Sequence, residues 1–362
     1  MKYLKLTIPI SSNSSFYWSI QNCLKENRIK FTIFKIKKTG YMDAPYAFLE
    51  NKKEMEIYTN KLIKFCKKEN SNFVLPFFES EIYPILKNYE KFSNEKIKIL
   101  TENKENFLKL HLKHKFYEIA KNLNVRIPPY KTINSLSELT SNLKTIKYPI
   151  VVRPTVSVLG IGCCFCRSEW EILEKASLLY KFNRFPLILQ KPIKKMGETI
   201  INLISINGKI VDYFIFSSVL INKKMEKKIL EISEKILKKI KWNGCASPQF
   251  IHSEEGLFLL EINPRLSYSI AGPGKKSLIE NNLYVYNLIP KDNFKKLNKN
   301  FLFMTNEKKL RLIFLKEFFF IKPFDTLYTL ARMELLNLLQ KIKIYSPFPE
   351  NYLQIDKNLR DY

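Results

Sequence analysis

The chain has no run of about eighteen uncharged apolar residues, so no membrane-spanning helix is expected. The opening Met1-Lys2-Tyr3-Leu4-Lys5-Leu6-Thr7-Ile8-Pro9-Ile10 is too short and too interrupted for a signal peptide, and a cytoplasmic location is the expectation. Acidic residues are in short supply. Asp plus Glu total 34 against 61 Lys plus Arg, a formal charge of +27. Such a surplus ordinarily points to nucleic acid or an anionic membrane. Here the lysines are dispersed among abundant Ile and Asn, with no zinc-finger spacing, aromatic-basic RNA signature or basic zipper, so no nucleic-acid partner is expected. Glycine is sparse, at 9 in 362 residues. The loop Ser11-Ser12-Asn13-Ser14-Ser15 has none, although a dinucleotide-binding loop needs glycine for its backbone to approach a pyrophosphate. Cysteines number six, and reduced thiols suit a cytosolic protein. Cys163-Cys164-Phe165-Cys166 tempts a metal reading, but neighbours on a strand face opposite sides, which favours simple filling of a buried strand. No internal repeat is evident.

What is present is enough for a sizeable core, since 46% of the residues are hydrophobic and the length exceeds one average domain. Short apolar runs alternate with helical stretches through the first hundred residues: strands at 4–10, 30–37 and 72–78, helices at 16–27, 52–69 and 79–92. That alternation predicts a parallel sheet covered by helices. Further on, one helix is expected over 107–122 and another over 226–241, the latter with Ile229, Ile232, Ile236 and Ile240 on one stripe. Asn207-Gly208 between two apolar runs marks a two-residue hairpin.

The most informative stretch is Leu259-Leu260-Glu261-Ile262-Asn263-Pro264-Arg265. It follows Pro248-Gln249-Phe250-Ile251-His252 across a Ser-Glu-Glu-Gly turn. Glu261 and Asn263 are two apart, so on an extended segment they share a face, and the neighbouring strand can place Gln249 beside them. Three oxygen-bearing side chains there suit a hard cation such as Mg²⁺ carrying phosphates. Arg265 adds a fork for phosphate or acyl-phosphate oxygens.

This hairpin resembles the metal-binding hairpin of the ATP-grasp superfamily, in particular the synthetase domains of carbamoyl-phosphate synthetase and related carboxylate–amine ligases. The upstream order fits the resemblance over roughly residues 72–290. Lys113, after Leu112 where the family has Asp, corresponds to a cation that reaches ATP phosphate, with Lys115 the alternative register. Tyr148-Pro149-Ile150-Val151-Val152-Arg153-Pro154 resembles the strand whose terminal cation binds α- and β-phosphates. Gly160 and Gly162 then correspond to the flap over the β- and γ-phosphates, with Cys163 and Cys164 where some relatives carry further glycine. In Pro186-Leu187-Ile188-Leu189-Gln190-Lys191-Pro192-Ile193, the resemblance assigns the Lys191 carbonyl and the Ile193 N–H to the adenine edge, and Glu198 to the ribose.

The resemblance implies an α/β N-terminal domain over 1–100, with a parallel, degenerate Rossmann-like sheet. An α+β ATP-grasp fold with two lobes follows over 101–290, its flap lobe at about 147–190, and then a helical extension over 291–362. It implies ATP and one or two Mg²⁺, with Mn²⁺ as a substitute, and the positive charge would favour ATP and an acidic substrate. Gln249, Glu261 and Asn263 would hold metal, while Arg265 would stabilise the transferring phosphoryl group. The implied reaction activates a carboxylate as an acyl phosphate and couples it to an amine. Alternatives are bicarbonate activation of the carbamoyl-phosphate type and a basic binding protein with a retired nucleotide site. Glu79, at a helix start, is either a capping residue or a contact for a substrate amino group. Lys275 is either a substrate contact or an exposed loop lysine. His111, His114 and His252 read as incidental. Oligomer formation stays open.

Overall fold

The computed structural model describes residues 5–10, 15–35, 52–157, 162–181, 184–265, 275–288 and 299–302. The first layer follows the strand–helix alternation. Strands β1 (Lys5–Ile10), β2 (Lys30–Lys35), β3 (Phe73–Val74) and β4 (Lys98–Ile99) form a parallel sheet in the order β2-β1-β3-β4. Helices α1 (Ser15–Glu26), α2 (Lys52–Lys68), α3 (Glu79–Lys87) and α4 (Tyr89–Asn94) connect and flank them. β1 is buried almost throughout, as a parallel strand covered on both faces must be. Leu6, Ile8 and Ile10 pack with Ile20 and Leu24 of α1, while Phe34, Leu62, Ile63, Val74 and Ile99 make a second cluster.

Two expectations in this layer change. The run at 72–78 pairs only at Phe73 and Val74. Pro76 follows shortly and has no N–H for a ladder. The helix expected over 79–92 divides at Asn88, which leaves the helical region at φ −112°, ψ 28° and whose N–H closes back on Pro84 and Ile85 carbonyls.

The remaining described residues build two further sheets. Helices α5 (Lys104–His111) and α6 (Lys113–Asn122) replace the single helix expected over 107–122. Leu112 is extended, at φ −83° and ψ 107°, and the Lys113 N–H bonds to the Thr155 carbonyl at 3.0 Å instead of continuing the first helix. β5 (Tyr130–Ile133), β6 (Ile150–Pro154), β7 (Cys164–Cys166) and β8 (Leu187–Gln190) form an antiparallel sheet in the order β5-β8-β6-β7. Helices α7 (Leu136–Asn142) and α8 (Glu169–Lys181) bury Leu139, Ile172, Ala176 and Leu179 against it. Cys166 is part of that core, and all six cysteines are free thiols.

The third sheet has the order β12-β11-β9-β10-β13, from β9 (Gly197–Ile206), β10 (Lys209–Ser217), β11 (Gly244–Ser253), β12 (Gly256–Asn263) and β13 (Lys299–Leu302). Asn207 and Gly208 turn between β9 and β10 with φ of 51° and 76°, the doubly left-handed turn their sequence predicts. Helix α9 (Lys223–Ile240) lays Ile229, Ile236 and Ile240 on one face of the sheet, with Ile232 partly buried beside them. Helix α10 (Lys275–Val285) covers part of the opposite face, and its Leu278, Ile279 and Leu283 share a core with Leu6, Ile8, Ile204 and Phe214. The parallel sheet is thereby fastened to the third sheet. Among the described residues, no helix is long and apolar enough to cross a membrane. Residues 303–362, including the helices expected at 310–321 and 326–342 and the Phe318-Phe319-Phe320 run read as a candidate membrane contact, lie outside the described residues.

Candidate nucleotide and metal site

The hairpin β11–β12 owes its chemistry to one extra residue. From the turn outward the ladder pairs Ser253 with Gly256, His252 with Leu257 and Phe250 with Leu259, then jumps to pair Gln249 with Glu261 and Ser247 with Asn263. Leu260 is the extra residue. Without this bulge Glu261 would face Pro248 and point to the side that packs on α9. With it, Glu261 and Asn263 share the face of Gln249, as their spacing predicts.

Two cations converge on Glu261. The Arg153 Nη2 donates to Glu261 Oε2 at 2.9 Å, and the Lys113 Nζ lies 3.4 Å from the same oxygen. Arg153 stands at the end of β6, and Lys113 is the first residue of α6. Both cations are buried, with 7% and 9% of their side chains exposed. Lys113 also donates to the Ser157 carbonyl at 3.3 Å, at the base of the segment read as a flap. Lys115 is exposed, so Lys113 is the lysine turned into the cleft. Burial pushes the Glu261 carboxyl up, but Lys113 and Arg153 outweigh it and hold the group down at about 2.

Of the other candidate residues, Asn263 reaches Glu261, and the rest have contacts of their own or lie outside the described side chains. The Gln249 amide nitrogen donates to Glu198, whose second oxygen accepts from Lys195 at 2.7 Å. The Asn263 amide lies 3.4 Å from Glu261 Oε1. Arg265 is buried and its Nε donates to Glu79. Glu79 is therefore an ion-pair partner; the capping carboxylate of α3 is Glu81, which accepts from the backbone N–H groups of Phe77 and Phe78 at 3.0 and 3.3 Å. The Lys191 N–H bonds the Pro129 carbonyl at 2.8 Å and its exposed side chain lies 3.7 Å from Glu255, while Ile193 is buried. Gly162 has φ of 78°, and a Cβ there would come within 2.9 Å of the Pro154 ring, so close packing on β6 also requires glycine. Lys275 opens α10, a helix start where a loop was expected, and its side chain, like Gly160, lies outside what the structure describes.

Two residues that sequence reasoning passed over, Tyr117 and Gln190, bond to Arg153, and His111, read as incidental, lies near Glu79. The Tyr117 hydroxyl donates to Gln190 Oε1 at 2.9 Å, and Arg153 Nη1 donates to that same oxygen at 3.1 Å and to the Tyr117 oxygen at 3.3 Å. Tyr117 lies four residues after Lys113, one helical turn on, a spacing that could have flagged it. His111 stacks on Phe107 at 5.0 Å between ring centroids. Its Nε2 is buried and has no hydrogen-bond partner among the described residues. Burial pushes this imidazole down to about 4, against the pull of nearby Glu79.

The donor set decides what metal fits. Among the described residues no group of three or more His, Cys, Asp or Glu could hold an ion. Glu261 contributes one carboxylate, and Gln249 and Asn263 contribute carboxamides on the same face. Mg²⁺ is commonly held by one or two carboxylates plus the oxygens of bound phosphates, not by an all-protein cage. These residues fit Mg²⁺ on those terms.

No protein-family profile matches the chain. The carbamoyl phosphate synthase large chain of Clostridium beijerinckii is 28% identical over 169 residues, which are 41% of this chain and 15% of that relative. A biotin carboxylase–β,γ-ATP complex from Campylobacter jejuni superposes with a TM-score of 0.62 at 14% identity, covering 80% of this chain and 73% of that one. An L-amino acid ligase from Bacillus licheniformis gives 0.55 at 14%, covering 76% and 69%. The chain is thus similar in sequence to carbamoyl phosphate synthase large chains over part of its length, and it shares its fold with the biotin carboxylase and the L-amino acid ligase.

Proposed function

We propose that the protein is an ATP-dependent carboxylate–amine ligase that forms ADP and phosphate. The observation that carries this reading is the convergence of two buried cations, Lys113 and Arg153, on the half-buried Glu261 at the end of the β11–β12 ribbon, with Arg265 two residues past Asn263. Carboxylate and triphosphate are both anionic, so bringing them together requires fixed positive charge in a site of low dielectric. Arg153 and Lys113 supply it for the phosphate tail. Arg265 supplies it for the transferring phosphoryl group and the tetrahedral adduct that the amine forms. Glu261, Asn263 and Gln249 would hold Mg²⁺, which neutralises phosphate charge when bound. The hinge after β8 would seat adenine on the Lys191 carbonyl and the Ile193 N–H, and Glu198 would meet the ribose. The two antiparallel sheets would be the two lobes that enclose the nucleotide, with Gly160 and Gly162 in the covering flap. Glu79, paired with Arg265, is placed to receive the acceptor amine once a substrate acid takes the Arg265 fork. Lys275 remains a second substrate contact.

Similarity to carbamoyl phosphate synthase large chains supports bicarbonate as an alternative acid. The test is an ATP-to-ADP screen over pooled acids and amines, with bicarbonate as a separate arm and Glu261→Ala as the blank. The reading expects ADP formation that needs both an acid and an amine. ADP formation with bicarbonate alone moves the assignment to the alternative. No ADP in any pool, without any Mg-ATP-induced thermal shift, favours a retired nucleotide site.

A further inference from the structure

Arg153 is held from behind by Tyr117 and Gln190. Its Nη1 donates to both the Tyr117 oxygen and Gln190 Oε1, and the Tyr117 hydroxyl closes the triangle by donating to Gln190. All three side chains are buried, with Tyr117 fully excluded from solvent. A buried phenol needs a partner for its O–H, and a buried guanidinium needs acceptors for its N–H groups. Here each satisfies the other through one carboxamide oxygen. The triangle has a direction. Nη1 is committed backwards, so Nη2 is the edge that reaches Glu261.

Gln190 links this triangle to a different part of the molecule. It is the last residue of β8, and the next residue, Lys191, begins the segment that the nucleotide reading assigns to adenine. The Lys191 N–H is pinned to the Pro129 carbonyl, so the hinge start is fixed on the side of β5. Tyr117 in turn lies on the helix whose first residue is Lys113. One hydroxyl therefore joins the helix that carries one phosphate-end cation, the strand that carries the other, and the strand that runs into the adenine hinge. Tyr117 also packs edge-on against Tyr130 of β5 at 4.7 Å between centroids, which fixes its ring.

We propose that Tyr117 is a positioning residue for the nucleotide triphosphate: through Gln190 it sets the Arg153 guanidinium and couples the adenine end of the site to the phosphate end. Tyr117 touches neither substrate nor metal in this account. It acts through Arg153, and its loss weakens binding of phosphate groups while leaving the adenine seat intact. The proposal deepens the ATP reading and rests on it.

The test compares the affinities of adenosine, ADP and Mg-ATP for the full chain, for Tyr117→Phe and for Gln190→Glu by calorimetry, with thermal melting as a fold control. Tyr117→Phe keeps the ring and its packing and removes only the hydroxyl. It is expected to lower Mg-ATP affinity about tenfold, or 1.4 kcal/mol, and to leave adenosine affinity within about twofold. Gln190→Glu places a charge against Arg153 and draws the guanidinium away from the phosphates, so its ATP-to-adenosine affinity ratio is expected to fall further. An unchanged ratio in both variants overturns the proposal. A proportional loss for adenosine and ATP overturns it too, since that is what a general loosening of the fold produces. If the unaltered protein binds none of the three, the nucleotide reading itself has failed, and the proposal falls with it.

Discussion

Glu261 accepts from one cation and lies within ion-pair distance of another, through the same carboxylate oxygen, which leaves its other oxygen facing Asn263. Its charge is secured over the whole range in which enzymes work, since it is held at about 2. His111 is the opposite case. It is buried, kept neutral, and pushed down to about 4 by its surroundings. The unfolded chain binds a proton at this imidazole near pH 6.5, whereas the folded chain resists it until about pH 4. The contribution of His111 to stability is therefore complete above pH 6.5 and is lost as the pH falls toward 4. His111→Phe retains the stacking on Phe107 and removes the titration. Urea denaturation from pH 7 to pH 4 should show the unaltered protein losing up to about 1.4 kcal/mol per pH unit more than the variant. Parallel pH profiles would contradict this. Strand periodicity put Glu261, Asn263 and Gln249 on one face, and the resemblance read them as a metal site. For Tyr117 the sequence offered only the one-turn spacing from Lys113, because the contacts of Tyr117 and His111 depend on which helix face meets which strand. Lys113 carried an ambiguity that only the break at Leu112 resolves, because that break sets which lysine begins the new helix.

At the scale of elements, the bulge at Leu260 is the device that turns a buried strand into a site. Strand existence and the Asn207-Gly208 turn were legible because they rest on period-two alternation and on a dipeptide that tolerates positive φ. The bulge was not legible, because one extra residue leaves the apolar pattern of Leu257 to Ile262 almost unaltered. Likewise the division of 107–122 into α5 and α6 depends on a tertiary bond from Lys113 to Thr155, which no local propensity encodes. Deleting Leu260 removes the extra residue and should leave a regular ladder in which Glu261 still faces Gln249. The variant is expected to keep its far-UV dichroism and to hold its Mg-ATP affinity within about threefold, or about 0.7 kcal/mol. A loss of about tenfold or more would mean that the site needs the local twist of the bulge and not only the face on which Glu261 lies.

On the scale of the whole molecule, packing and a buried ion pair join the parallel layer to the third sheet. Leu278, Ile279 and Leu283 of α10 supply the apolar part. Glu79 of α3 and Arg265, just beyond β12, supply the charged part, each with 8% of its side chain exposed. Breaking such a pair from one side strands a buried charge, which costs more than the pair contributes in full. Glu79→Gln should therefore destabilise the protein by on the order of 3 kcal/mol in urea denaturation. A change below about 0.5 kcal/mol, the usual effect of a surface substitution, would show that the junction does not depend on it. The architecture of three sheets was readable in outline, since alternation gave the parallel layer and the paired β-runs gave the hairpins. The fifth strand at Lys299–Leu302 was not, because it lies past the stretch where motifs are dense and pairs in parallel with the distant β10.

The central claim is that buried cations at the end of the β11–β12 ribbon receive a triphosphate. Calorimetric titration of Mg-ATP into the unaltered protein, Arg153→Met and Glu261→Ala tests it most directly. The account predicts saturable one-site binding that requires the divalent ion and weakens at least about tenfold in each variant, roughly 1.4 kcal/mol apiece. Binding that is absent in the unaltered protein, or equal in all three, would contradict it.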